Sequence, residues 1–168
     1  LKFTAFGIGF FIVFSILYAL GSFLSVGRFT QISFTSSGYQ LLAVYGFFSM
    51  VMFGAIYFIV PRLMETEWPS ANGIKSHFVL SIYAILILGV VHLFGGIWQS
   101  SAYAKFDSPL ENAIAAAKPY AIGASLGWIA ILVSTARFII NLFCLIFKTG
   151  QREIFPTLIA ATRISPNK

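Results

Sequence analysis

The sequence predicts an all-α integral membrane protein, a bundle of four transmembrane helices. Three observations predict it. Of 168 residues, 58% are hydrophobic and only 10% charged, and mean hydropathy is +0.88. A soluble domain carries about a quarter charged residues. Four apolar runs each reach the ~20 residues needed to cross a hydrocarbon core. The five acids (Glu65, Glu67, Asp107, Glu111 and Glu153) all fall outside those runs. Helix is the required conformation, because a lone strand leaves its backbone unsatisfied in lipid and the chain is short for a closed barrel.

The runs cover about residues 3–26, 40–60, 77–98 and 120–147, with a polar tail at 148–168. The first is too long for a signal peptide and lacks a small-residue cleavage site, so it reads as a span. Pro61 is expected to end the second, since proline lacks a donor and restricts the residue before it. Ser108, Pro109 and Glu111 read as a capping box with proline at the first helical position. They predict a short helix over about 109–117, outside the hydrocarbon core. Trp68, Trp98, Tyr103 and Tyr120 stand where interfacial aromatics anchor a bundle.

Charge sets the expected orientation. The formal net charge is +6, but the basic residues gather at the ends of apolar runs, which points to a membrane and not to nucleic acid. Four spans put both termini on one side. That side holds seven basic residues (Lys2, Arg62, Lys75, Lys148, Arg152, Arg163, Lys168) against three on the other (Arg28, Lys105, Lys118). Both termini are therefore expected in the cytoplasm. Arg137 lies late in the fourth run, where it is expected to snorkel, to pair, or to meet a lipid headgroup.

The chemical inventory is thin. A proton or ion path usually shows an intramembrane carboxylate, and no run contains one. The sequence carries no phosphate-cradling glycine loop, metal-ligand cluster or nucleophile triad. No catalytic or metal site is expected. The single Cys144 excludes an internal disulfide. His77 opens the third run and is expected to be structural. His92 is the one ionisable group deep in a run; it is a candidate haem ligand or a hydrogen-bonding partner of another helix. Gly123 and Gly127 form a small-xxx-small motif for close helix packing, within the bundle or against another subunit. The 19 phenylalanines read as core filling and lipid contact.

Several stretches resemble the catalytic subunit of cbb3-type cytochrome c oxidases, within the haem–copper oxidase superfamily. Tyr45-Gly46-Phe47, then Met52-Phe53-Gly54-Ala55-Ile56-Tyr57-Phe58-Ile59-Val60-Pro61-Arg62-Leu63, is similar to a family helix that ends in FGAIY-x-x-PRL. Ser76-His77-Phe78 resembles the histidine-aromatic start of the following helix. Pro119-Tyr120 and the glycines after it resemble the last one. The likeness covers about residues 29–147 and only the last four of the family's roughly twelve helices. In the family, the helix with the PRL end begins with an H-x-H pair that binds two haems. In the shared register those positions are Ser36 and Gly38, neither of which ligates iron. The copper ligands belong to family helices without a counterpart here.

The resemblance implies a truncated, ligand-less relative of an oxidase core. The expected role is a non-catalytic accessory subunit in a bacterial inner (cytoplasmic) membrane, stabilising or packing against the catalytic subunit. It implies no cofactor bound by this chain alone, with haem and copper in partner subunits. The partners would be the catalytic and cytochrome c subunits and membrane lipids. The alternatives are a haem- or quinone-binding electron-transfer subunit, an oxidase assembly factor, and a small transporter.

Overall fold

The computed structural model describes residues 1–31, 33–104 and 110–163, with side chains for all of these except 29 and 153–163. The elements are α1 (Lys2–Gly21), α2 (Leu24–Thr30), α3 (Phe34–Leu41), a π-helical stretch (Leu42–Ser49), α4 (Met50–Leu63), α5 (Ala71–Tyr103) and α6 (Leu110–Arg163). No strand occurs among the described residues. Four helices are long and apolar enough to cross a membrane: α1, the continuous helix Phe34–Leu63, α5 and α6.

The element ends differ from the predicted ones for local reasons. The first apolar run continues to Val26, but α1 stops at Gly21. The Ser22 hydroxyl donates to the Tyr18 carbonyl at 2.9 Å, and extended Phe23 starts a separate helix, α2. The second span starts at Phe34, several residues earlier than expected. Ser33 caps it, and the Gln99 side chain of α5 accepts from the Phe34 amide at 3.0 Å. The third starts at Ala71, capped by the Ser70 hydroxyl on the Gly73 amide, so His77 lies inside the helix. The predicted short helix over 109–117 is not separate. From Leu110 onward one helix runs through Pro119 and through the tail to Arg163. Its 54 residues are roughly 80 Å long, far more than a hydrocarbon core of about 30 Å. Lys105, Asp107, Ser108, Pro109 and Lys168 lie outside the described residues, as do the side chains of Glu153 and Arg163.

Pro61 does not end the second span; α4 continues to Leu63. The stop is a Schellman motif, in which Glu65 takes a left-handed φ of 44°. The Thr66 amide donates to the Pro61 carbonyl at 3.1 Å and the Glu65 amide to the Arg62 carbonyl at 3.4 Å. Proline does remove one bond, because the Tyr57 carbonyl has no amide at position 61 to accept from. The Trp68 indole supplies the donor instead, at 3.0 Å. Trp68 thus repairs the backbone at the end of the span. Trp98 and Tyr103 stay exposed.

Packing centres on α5, which touches α6 on one side and α3 on the other. Without a hydrophobic drive between helices in lipid, close approach of small residues is what holds them. A Cβ on Gly96 would overlap Thr35, with the Thr35 Cα only 2.8 Å away. On α6 the residues turned inward are Ala113, Ala117, Tyr120, Ala124, Gly127, Ile131, Ser134, Phe138, Asn141 and Leu145. They alternate steps of four and three. This 3.5-residue repeat keeps a seam facing one partner. The seam of α1 has the same spacing, through Phe3, Gly7, Phe10, Phe14 and Leu17.

The π-helical stretch changes which neighbour the second span meets. Before it, Thr35 and Gly38 press on Gly96 and His92 of α5. Within it, Gly46 already lies under Phe10, and beyond it Gly54 lies under Phe3 and Thr4, all on α1. A wide turn adds one residue to the helix and rotates the following face by about 100°. The second span is thereby handed from α5 to α1.

Two glycine substitutions should separate contact from propensity. Gly96→Ala should lower stability by about 2 kcal/mol, read as an earlier midpoint of thermal unfolding in detergent. Gly9→Ala, with nothing within 4 Å of the new methyl, should be neutral or slightly stabilising.

Candidate functional site

The site lies where α1 begins, α4 ends and α5 begins, with α6 passing alongside. Side chains from all four spans converge there on His77, which is fully buried at 0% exposure. Phe3 of α1 stands 5.2 Å away ring to ring, and Phe53 of α4 meets it edge-on at 4.5 Å and 87°. Tyr57 lies at 5.7 Å, and Phe138 of α6 at 5.5 Å. The Tyr57 hydroxyl is 2.9 Å from His77 Nδ1. Ser134 of α6 donates to the His77 carbonyl at 2.9 Å. Its proton is then spent, so Ser81 donates to the Ser134 hydroxyl oxygen at 2.8 Å.

Two atoms of this region stay without partners among the described residues. One is His77 Nε2. The other is Asn141 Oδ1, whose amide nitrogen donates to the Ser70 carbonyl at 3.2 Å. If the phenol donates to Nδ1, Nε2 carries an unpaired N–H. If Nδ1–H donates to the phenol, Nε2 offers an unpaired lone pair. Buried groups in this state are uncommon and cost about 1–3 kcal/mol.

This chemistry ties helices together. Each of the interhelical bonds crosses between two elements: α4 to α5 through Tyr57, α6 to α5 through Ser134, and α6 to the start of α5 through Asn141. The described cluster contains no carboxylate to exchange protons with His77. Among the described residues, no three His, Cys, Asp or Glu side chains come together as a metal site.

The residues singled out in the sequence fall apart in space. Gly123 and Gly127 both face α5. A Cβ on Gly127 would lie 2.5 Å from Leu88 Cγ, and one on Gly123 3.3 Å from Val91 Cγ2. Arg137 is exposed, with Nη1 donating to the Ser76 hydroxyl at 3.4 Å. Cys144 is exposed. His92 lies toward the other end of the bundle and is 5% exposed. Its Nδ1 donates to the Leu88 carbonyl at 2.8 Å, and the Phe34 ring stands edge-on at 5.6 Å.

Ser36 and Gly38 supply no iron ligand. Ser36 offers only a hydroxyl. Gly38 has no side chain, and a Cβ there would come 3.0 Å from His92 Cβ. The space a histidine at 38 would need is filled by α5.

Sequence reading missed the Tyr57–His77 pair, the Ser81–Ser134 pair and Asn141. A signal for two of them exists. Ser134 and Asn141 stand in the same four-three repeat as Gly127 and Ala124, which marks a face too polar for lipid.

Fold and site together define a multi-pass helical membrane protein. No protein-family model and no curated protein matches the chain.

The replacement of a missing amide by Trp68 can be measured as a coupling. Trp68→Phe should cost about 1–3 kcal/mol by stranding the Tyr57 carbonyl. In a Pro61→Ala background, where residue 61 regains its N–H, the same change should cost about 1 kcal/mol less. Unfolding midpoints of the four proteins in detergent give the double-mutant cycle.

Proposed function

We propose that this chain is a non-catalytic accessory subunit of a respiratory haem–copper oxidase complex of the cbb3 type. It packs beside the catalytic subunit in a bacterial inner membrane, with both termini in the cytoplasm. The observation that carries this reading is Gly38. The scaffold resembles the haem-bearing helix of the oxidase core, yet Gly38 abuts His92 where a ligand would stand. Two further facts support it. The hydrogen bonds buried around His77 join helices, with only His77 Nε2 and Asn141 Oδ1 left unpartnered there among the described residues. The outer face of α6 presents Leu126, Leu132, Phe143 and Phe147, all well exposed in this chain, to lipid or to a neighbouring subunit.

A second reading rests on His92. Its Nδ1 is engaged by a backbone carbonyl, which is how a ligating histidine is commonly oriented. Paired with a partner's histidine, it would make this an electron-transfer subunit. His92→Ala then removes haem absorbance from the purified complex, whereas the accessory role leaves haem content unchanged.

The leading reading predicts co-purification. A tag on this chain should recover haem-bearing oxidase subunits in fixed ratio; recovery of the chain without them would sink the proposal. Topology has its own test. In a Cys144→Ser background, a cysteine placed after Lys168 should react with an impermeant maleimide only in inside-out vesicles. Labelling of right-side-out cells would reverse the orientation.

A further inference from the structure

The transfer of the second span from α5 to α1 leaves a gap on its other side. Between the π-helical stretch, α4 and α6, over α5 as floor, lies a cavity of about 500 Å³, within the usual range for small-molecule sites. Its walls are Tyr45, Ser49 and Phe53 on one side and Trp128, Ile131 and Thr135 on the other; Ser81 and Ile85 form the floor. The Tyr45 and Trp128 rings meet edge to face at 5.4 Å and close one end.

Three properties limit the occupant. None of the lining residues is charged, so an anionic headgroup or a haem propionate has no counter-ion. None is a histidine, cysteine or methionine other than Met50, which is almost fully buried, so no metal centre is held. Yet the Tyr45 hydroxyl, the Trp128 indole and the Thr135 hydroxyl have no hydrogen-bond partner among the described residues. Ser49 stands at the middle of the 30-residue span Phe34–Leu63. These donors therefore sit at mid-membrane, away from the interface where tyrosine and tryptophan normally find water. Unpaired donors in lipid are costly. An acyl chain would fill the cavity and leave them unpaired. A π-helical stretch lining the same cavity fits the general association of such turns with binding sites.

We propose that this cavity binds an isoprenoid quinone, with a ring carbonyl accepting from Tyr45 or Trp128 and the tail leaving between the second span and α6. A quinone is neutral, flat and apolar, carries two acceptors and reaches the bilayer centre. The site is one of binding; no electron transfer is assigned to it, and it does not depend on the oxidase reading.

Quinones quench tryptophan fluorescence on contact, so the full chain in phosphatidylcholine nanodiscs can be titrated with decylubiquinone. The expected result is saturable quenching of up to a third of the emission from the three tryptophans. Trp128→Phe should abolish the saturable part while Trp68 and Trp98 still emit. Ile131→Phe, which fills the cavity, should abolish it with Trp128 in place. Tyr45→Phe, a smaller change, should weaken binding about tenfold. Quenching that rises linearly, as from free quinone in the bilayer, overturns the proposal. So does saturable quenching unaltered by Ile131→Phe and Tyr45→Phe, or displacement of the quinone by added oleate at equal concentration.

Discussion

Thr35 and Gly96 approach until backbone nearly touches backbone, and the rest of the bundle is built outward from that contact. It sets how deep the second span sits on α5. It also places the Gln99 side chain over the start of that span, where it accepts from the Phe34 amide. On the neighbouring stripe of α5, Leu88 meets Gly127 and Val91 meets Gly123. At each of these contacts one partner is a glycine, on α5 toward the second span and on α6 toward Leu88 and Val91. In lipid, where apolar burial gives no preference for a neighbour over a solvent chain, such close contact supplies the dispersion energy of association.

The second constraint is the backbone itself. A carbonyl that loses its helical partner in a bilayer must find another. The second span meets this at Pro61. At Pro61 the freed Tyr57 carbonyl is reached by the Trp68 indole, which the Schellman turn at Glu65 brings back over α4. At the π-helical stretch, the Ser49 hydroxyl donates to the Val44 carbonyl at 2.9 Å. Each irregularity has a geometric consequence. The first lays the connection 64–70 against the ends of α4 and α6. The second turns the span away from α5 and opens the cavity beside Trp128.

Polar groups inside the bundle divide into two kinds. Those around His77, apart from His77 Nε2 and Asn141 Oδ1, are engaged across helices, and their removal would loosen the bundle. Along the mid-membrane cavity, Tyr45, Trp128 and Thr135 are donors without acceptors among the described residues, which makes them available to a ligand. The accessory role proposed for the chain uses the first kind and the outer apolar faces. The quinone site proposed here uses the second. The two meet at Phe53, Ser81 and Ser134, which belong to both.

Hydropathy and the placement of acids determined four spans, because crossing a bilayer is a local property of about twenty consecutive residues. Gly123 and Gly127 were legible as a packing face for the same local reason: small residues four apart share one side of a helix. Proline at 61 was legible as a disturbance but not as a continuation, since the rescue comes from Trp68, seven residues away in a turn whose left-handed residue is glutamate rather than glycine. His77 was legible as a residue of α5 but not as the centre of an aromatic cage, because Phe3, Phe53, Tyr57 and Phe138 come from three other helices. The sequence register alone put Ser36 and Gly38 where ligands would be. Only the tertiary structure decided that the space at Gly38 is closed, because what closes it is His92, more than fifty residues further along the chain.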